Sequence, residues 1–363
     1  MTDEGLRLAR AAAQLLHRPD RAPRAADLVH RLLAVQAQDT AAARLALRAR
    51  AHGLTAADVD SALADRSIVR TWGPRGTLHL VAAADVGWLT ALFGPRRVTN
   101  SLRRLAQEGV SGSVPELVEA VSQALSDQGP LTKSELGDRL AATGVPTRGQ
   151  GIVHLAALGA SHGRVVLGPD RAGKPTYVHA ADWLGPEIAV GLDSGAALAE
   201  LARRYLRTRG PAEPADLAAW SGLPLRDATV GWTAIASELV ATTAGGRTLY
   251  RLRGPEPAEA VATAARTVRL LPAFDEYLLS WRSRDLVLRA EDARSVHPGG
   301  GIIHPTVVCA GWVVGTWRLP AGTPAVTLFV DPPDAPDPDA LAADRADVTR
   351  FLDRVSGRAG SDP

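Results

Sequence analysis

Gln36 and Gln38, one small residue apart in RLLAVQAQDTAAARLALRAR (31–50), are the two side chains best spaced to do chemistry together. Side chains two residues apart share a face only on extended backbone; on a helix they would diverge by about 200°. Apolar-periodic segments flank the pair on both sides, and Asp39 and Thr40 read as the N-cap of the second. The pair is therefore expected on a short extended joint between two helices, with both amides facing one way. A primary amide offers acceptor and donors at once, so two of them can hold and orient a water. The other reading of such a pair is solvated surface. Asp39, the nearest carboxylate in sequence, is expected to cap rather than to take part in catalysis.

The elements that must position this joint recur along the chain. Helical patterns cover about 5–17, 24–35, 40–51 and 55–64, and SIVRTWGPRGTLHLV (67–81) alternates around Gly73-Pro74-Arg75-Gly76 as a hairpin. After a helical connection (83–107) the scheme repeats. ELVEAVSQAL is a helix, and LTKSELGDRLAATG is a second with Thr132 as cap, Glu135 completing a capping box and Gly144 as stop. GQGIVHLAALGASHG is a third helix, and RVVLGPDRAGKPTYVHA (164–180) a hairpin. A third round follows in ALAELARRYLRTRG, EPADLAAWSGLP, LRDATVGWTAIASE and the hairpin LVATTAGGRTLYRLR (239–253). Helices followed by a hairpin describe a winged helix, a geometry used most often on duplex DNA and also as a protein-interaction scaffold. Beyond a linker (254–264), Gly- and Pro-separated β-rich runs, 267–288, 297–320 and PAVTLFVDPP, suggest a small antiparallel barrel or sheet. A terminal helix is expected over 337–356 and disorder over the last seven residues.

Composition narrows the classes. The chain has 363 residues, long enough for several domains, with 46% apolar and 22% charged residues, as in an ordinary globular protein. No apolar run approaches the length of a membrane span, and the N-terminus lacks a signal-peptide core, so the expected compartment is the cytoplasm. Cys309 is the only cysteine, which excludes an intrachain disulfide, a cysteine-built zinc site and an iron–sulfur cluster. No Walker loop, Rossmann fingerprint or G-x-S-x-G elbow is present, so no nucleotide cofactor is indicated. Net charge is only +2. Of 41 basic residues, Lys133 and Lys174 alone are lysines, leaving 39 arginines. Coding bias in a GC-rich genome accounts for most of that excess. Clusters at Arg96-Arg97, Arg103-Arg104, Arg203-Arg204 with Arg207 and Arg209, and Arg282/Arg284 could still form a basic lining.

Other positions carry two readings each. His297, Gly299, Gly300 and His304 belong to a Gly-rich loop between β-runs, which either probes a nucleic-acid groove or is plain surface. Two histidines without a third ligand make a poor metal site, so no metal is expected. Trp281 either flanks a DNA channel beside Arg282 and Arg284 or is core, the favoured reading. Arg75 tips the first hairpin and is either a phosphate contact or simply exposed.

Four stretches, VQAQD (35–39), RTWGPRGTLHLV (70–81), LLPAFDEYLLSWRSRD (270–285) and GWVVGTWR (311–318), make the chain resemble the AlkZ-type winged-helix DNA glycosylases, a family that includes bacterial AlkX/YcaQ. The resemblance covers nearly the whole chain. It implies an α+β fold of three tandem winged-helix units and a C-terminal β-barrel-like domain, arranged as a C-shaped DNA channel. On this sequence the units would span 1–107, 108–190 and 191–262, and the β-rich domain 263–363. The family's catalytic motif is Gln–x–Gln or Gln–x–Asp, so Gln36-Ala37-Gln38 places this chain in the Gln–Gln branch, associated with self-resistance to DNA-alkylating antibiotics. The implied activity is monofunctional hydrolysis of the N-glycosidic bond of bulky N7-alkylguanine adducts, with crosslinks as further substrates. The implied partner is double-stranded DNA carrying alkylated purines, met by a monomer without cofactor. Guanine alkylated at N7 is already cationic and departs without protonation, so two neutral amides positioning a water suffice in principle. The competing readings are a non-enzymatic winged-helix transcriptional regulator and a protein-interaction scaffold.

Overall fold

The computed structural model describes residues 1–19, 24–145, 149–186, 192–255, 258–330 and 335–356; the last seven residues, expected to be disordered, lie outside the described residues. In chain order the first elements are α1 (Asp3–Ala13), α2 (Ala25–Leu32), β1 (Val35–Gln36), α3 (Thr40–Arg48) and α4 (Ala56–Ala64). Next come β2 (Ile68–Trp72), β3 (Leu78–Ala82), α5 (Val86–Gln107), α6 (Val114–Leu125), β4 (Leu131–Thr132), α7 (Lys133–Ala142), α8 (Gly151–Ser161), β5 (Val165–Arg171), β6 (Lys174–His179) and α9 (Ala180–Leu184). Then follow α10 (Ser194–Arg209), α11 (Pro214–Ser221), α12 (Leu225–Ala234), β7 (Leu239–Ala244), β8 (Arg247–Leu252) and α13 (Ala258–Ala264). The chain closes with β9 (Val268–Leu271), α14 (Glu276–Leu279), α15 (Ala293–Val296), β10 (Thr306–Cys309), β11 (Trp312–Arg318), β12 (Ala325–Leu328) and α16 (Pro338–Ser356). The fold is mixed α and β. Among the described residues no helix is long and apolar enough to cross a membrane.

Local chemistry starts these helices where the sequence signals them. Thr132 and Glu135 form the expected capping box at α7, and Ser113 with Glu116 forms another at α6. Each box satisfies backbone groups that the first turn leaves without helical partners.

The contacts divide the chain into two compact units, Ser61–Leu198 and Met1–Asp60 with Ala199–Pro363. In the first, the strands run in the order β3-β2-β5-β6-β4, with antiparallel neighbours. Helices α6, α7 and α8 bury Val121, Leu136, Leu140, Leu155 and Leu158 against Val165 and Tyr177 of that sheet. Helix α5 lies on α8 at backbone range: a Cβ on Gly94 would stand 2.2 Å from the Ser161 carbonyl oxygen.

In the second unit, β7 and β8 pair as the expected hairpin, from Leu239↔Leu252 to Ala244↔Arg247, with Gly245 and Gly246 at positive φ in the turn. The C-terminal β-region takes the sheet form of the two expected. Its described strands form one antiparallel sheet in the order β12-β11-β10-β9, open rather than closed into a barrel. Helix α16 covers it, with Val348 and Phe351 packed among Leu270, Val307, Val314 and Trp317. The run 267–288 is strand only over β9. Asp275 then accepts from the Tyr277 amide and caps α14, so a helix start replaces the second half of the expected strand.

Replacing Gly94 with Ala should force α5 off α8, an overpacking cost of about 1–3 kcal/mol. A lowered midpoint in thermal or denaturant unfolding is the expected result. An unchanged midpoint would show that α5 does not lie against the Ser161 carbonyl.

Candidate active site

The joint carrying the glutamines begins with a strained residue. Helix α2 ends at Leu32, and Leu33 takes φ 73°, ψ −53°, a turn geometry that side-chain-bearing residues rarely adopt. Leu33 is wholly buried, so its surroundings dictate that conformation. The last carbonyls of a helix have no helical partners. Here they are met by arginines of α10: Arg209 Nη1 donates to Leu32 O at 3.1 Å, and Arg204 Nη2 donates to His30 O. The chain leaves this clamp as β1. Gln36 is half-buried, Ala37 wholly buried and Gln38 exposed, the alternation of an extended segment. Gln36 Nε2 donates to Gln38 Oε1 at 3.4 Å, so the two amides meet as the sequence predicts. Asp39 is the cap of α3, accepting from Ala41 N at 2.8 Å and Ala42 N at 3.2 Å.

Beneath the pair lies a carboxylate that sequence reading did not assign. Glu276, the first residue of α14, is 1% exposed. Its Oε1 accepts from the Gln36 backbone N–H at 3.0 Å. Its Oε2 accepts from Arg209 Nη2 and from Trp220 Nε1, both at 2.9 Å. Arg209 in turn lies over the Trp220 ring, 4.2 Å from its centroid. Burial lowers the Arg209 pKa, with Glu276 opposing. One carboxylate thus joins the glutamine joint, α10, α11 and α14. Neighbouring Asp275 grips Arg50 through both oxygens, at 2.7 and 2.8 Å. Gln14 accepts from Arg50 and donates to the Ser280 hydroxyl, each at 2.9 Å. LLPAFDEYLLSW signalled its place by likeness alone; what its acids do depends on partners 56 to 240 residues away, which no local pattern reveals.

The remaining candidates separate into inner and outer groups. Arg204 is buried against α2, and Arg203 is claimed by Glu238 at 2.7 and 2.8 Å and Glu200 at 2.5 Å. The Glu238 contact, above all, raises the Arg203 pKa. The two adjacent arginines of the expected basic lining thus differ: Arg203 is part-exposed and paired with Glu238 and Glu200, and Arg204 is buried against the His30 carbonyl. Trp281 is core: 5% exposed, edge-on to Tyr277 at 5.5 Å, its Nε1 donating to Arg209 O at 2.9 Å. Arg282 is outward, with its side chain 63% exposed and Glu213 at 3.8 Å. Arg284 donates to Leu278 O at 2.7 Å. Arg75 is half-buried at positive φ in the first hairpin's turn.

The 297–305 loop is exposed at Gly299, Gly300 and His304. Gly299, Gly300 and Gly301 have φ of 115°, 62° and 75°, the conformations that favour glycine. Burial first, then the Arg284 charge, lowers the His297 pKa, so its imidazole is neutral at pH 7. His304 adds a smaller push in the same direction.

A second constellation has the look of a hydrolase triad. Ser122 Oγ is 3.0 Å from His179 Nε2, and His179 Nδ1 is 3.1 Å from Asp182. Ser122 is buried in the middle of α6, where neighbouring amides serve the helix and leave no oxyanion donors. The trio fastens α6 to the start of α9. Among the described residues no group of three His, Cys, Asp or Glu converges to hold a metal.

Comparisons with known proteins agree with this architecture. A family model described as DNA glycosylase AlkZ-like matches residues 29–355. The interstrand DNA cross-link repair glycosylase of Streptomyces sahachiroi is 32% identical over 328 residues, covering 86% of this chain and 87% of that protein. The solved structure of Streptomyces sahachiroi DNA glycosylase AlkZ superposes with a TM-score of 0.80 at 29% identity, covering 97% of this chain and 96% of that one. The fold and its relatives define an enzyme that acts on DNA. The chain belongs to the AlkZ-like DNA glycosylase family.

Glu276→Ala should cost about 3–5 kcal/mol, because it leaves the buried Arg209 guanidinium uncompensated. Glu276→Gln, which keeps an acceptor, should cost less. Denaturant unfolding of both variants measures this, and equal stabilities for Ala, Gln and the parent would remove Glu276 from the support of the joint.

Proposed function

We propose that this protein is a monofunctional glycosylase that hydrolyses the N-glycosidic bond of bulky, cationic N7-alkylguanine in duplex DNA. Gln36 and Gln38 would hold a water against C1′ of the deoxyribose. The water oxygen bonds to C1′ as the C1′–N9 bond breaks, the bond's electron pair neutralises the departing base, and the water's proton passes to solvent. No covalent intermediate is required. The observation that carries this reading is the state of the carboxylates around the touching amides. Asp39 caps α3 through Oδ1, and Glu276 accepts from three N–H donors. Neither is placed to protonate a neutral leaving group, whereas an alkylated cationic purine leaves without that help.

The relative from Streptomyces sahachiroi, named for interstrand cross-link repair, supports extending the substrates to crosslinks and the biological role to self-resistance against a DNA-alkylating antibiotic. On this reading the three helix-and-hairpin units are winged helices that bind DNA, and the 297–305 loop probes a groove. The protein acts as a monomer without a cofactor.

Incubation with duplex carrying N7-methylguanine, followed by hot alkali, should reveal strand breaks at abasic sites. Gln36→Ala or Gln38→Ala should slow excision about 10–1000-fold, a loss of about 1.4–4 kcal/mol of transition-state stabilisation. Both variants should fold normally. Full activity in the double variant would sink the assignment.

Substrate scope tests the chemistry separately. N7- and N3-alkylpurines should be excised, and uracil, 8-oxoguanine and hypoxanthine should not. Efficient release of any of these neutral bases would reveal a general acid outside the Gln36–Gln38 pair. Salt-insensitive preference for one undamaged sequence, without excision of any lesion, would instead support the regulator reading.

A further inference from the structure

Helix α5 carries four arginines, Arg96, Arg97, Arg103 and Arg104, and not one Asp or Glu in VGWLTALFGPRRVTNSLRRLAQ. That is unusual in a chain whose 41 basic residues are nearly balanced by 39 acidic ones. The acids nearest in sequence stand just beyond its ends. Asp85 is buried and accepts from Trp88 Nε1 at 3.0 Å, and Glu108 follows the last turn. Elsewhere arginines are commonly consumed by carboxylates, as at Arg203, Arg209, Arg50 and Arg48. On α5 the partners of Arg103 and Arg104 are neutral. Arg103 donates to Asn100 Oδ1 at 2.8 Å and Arg104 to Gln107 Oε1 at 3.2 Å, and neither meets a carboxylate among the described residues. Such bonds orient the guanidinium groups and leave their charge in place.

The four arginines divide by position. Arg97 is half-buried, donates to the Ser161 hydroxyl at 3.3 Å and lies beside the Gly76 turn, its Cδ 3.4 Å from where a Cβ on Gly76 would be. Arg96, Arg103 and Arg104 are exposed. Arg96, Asn100, Arg103 and Gln107 follow the i, i+4, i+7, i+11 spacing of one helix stripe, and Thr99 borders it. From Arg96 to Arg103 the helix rises about 10.5 Å. Three successive phosphate-to-phosphate steps of one DNA strand advance about 10.2 Å along the duplex axis. The opposite face of α5 is fixed against α8 by the Gly94 close approach, so the stripe is presented on a rigid support.

We infer that the exposed stripe of α5 is a binding surface for the phosphate backbone of duplex DNA, with Arg96, Arg103 and Arg104 as the phosphate contacts. Contacts of this kind carry no sequence information and fix where the duplex lies. The inference deepens the reading of duplex DNA as substrate and is independent of which lesion is excised. It also favours α5 over Arg203-Arg204 for the expected basic lining, since Arg203 is paired with Glu238 and Glu200 and Arg204 is buried.

The test uses the full chain and an undamaged, fluorescently labelled duplex of about 25 base pairs, long enough to include several phosphates on each side of a contact. Affinity is measured across a salt series for the parent, R96Q/R103Q/R104Q and R96K/R103K/R104K. The glutamine triple variant should bind at least about tenfold more weakly near 0.1 M salt, and the magnitude of its log–log salt slope should fall by about 2–3, near 0.9 per lost phosphate contact. The lysine variant should keep most of the affinity. Gln is a good helix former at exposed positions, so the unfolding midpoint should stay with the parent's. An unchanged slope and affinity in the glutamine variant would overturn the inference, as would a parent that binds polyglutamate and not duplex. If the parent binds duplex with the expected slope but excises no alkylpurine, the α5 surface stands and the proposed lesion specificity falls.

Discussion

The local structure around Gln36 depends on one buried anion. Taking a carboxylate out of water costs several kcal/mol unless every lone pair it presents is met. Glu276 meets that condition with the Gln36 amide, Arg209 and Trp220. The arrangement is strict because removing any donor leaves a buried charge short of a partner. It also fixes position, since the donors come from segments far apart in sequence. Arg209 makes the linkage reciprocal: one nitrogen holds Glu276 and the other holds the carbonyl at the end of α2. The strained turn at Leu33 is therefore bounded on one side by Arg209 and on the other by Glu276, which is how a conformation costing about 1–3 kcal/mol persists.

The helix following the glutamines is secured on the same plan. Asp39 fixes the N-terminus of α3. At the other end Arg48 reaches Asp344 and Asp347 of α16 and the Leu270 carbonyl of β9, while Arg50 is held by Asp275. These guanidinium groups are fully buried and act as planar forks with fixed donor directions. Buried ion pairs of this kind add little net stability over an apolar core. Their value here is geometric: each is satisfied in one arrangement of α3, β9, α14 and α16 and in few others.

Legibility followed the range of the interaction. The glutamine joint, the Asp39 cap, the Thr132–Glu135 box and the hairpin ends at Gly73–Gly76 and Gly245–Gly246 were readable, because each is decided within a few residues. The stretch after β9 was misread because β-branched and aromatic content suggested strand, while a single Asp at an N-cap position started a helix. The arginine clusters were the least readable. Adjacent pairs at 96–97, 103–104 and 203–204 look alike in sequence. Whether a guanidinium meets Glu238, 35 residues away, or an asparagine of its own helix is not written in the pair itself. Glu276 was invisible as a site residue for the same reason: its partners are a backbone amide, an arginine and a tryptophan from three distant segments.

The proposed chemistry turns on this division of labour between acids and amides. A glycosylase acting on neutral bases needs a group that can deliver a proton to the leaving base, which means a carboxyl held with a free oxygen and a raised pKa. Around Gln36 and Gln38 the fold does the reverse. It commits Asp39 Oδ1 to the cap of α3 and both oxygens of Glu276 to N–H donors. The amides that remain at the surface accept and donate without changing charge. Such a pair can orient water and steady an electron-poor sugar, and it contributes nothing to expelling a base that is not already positively charged. The network that makes the joint rigid is thus also what limits the proposed reaction to lesions that bring their own leaving-group charge.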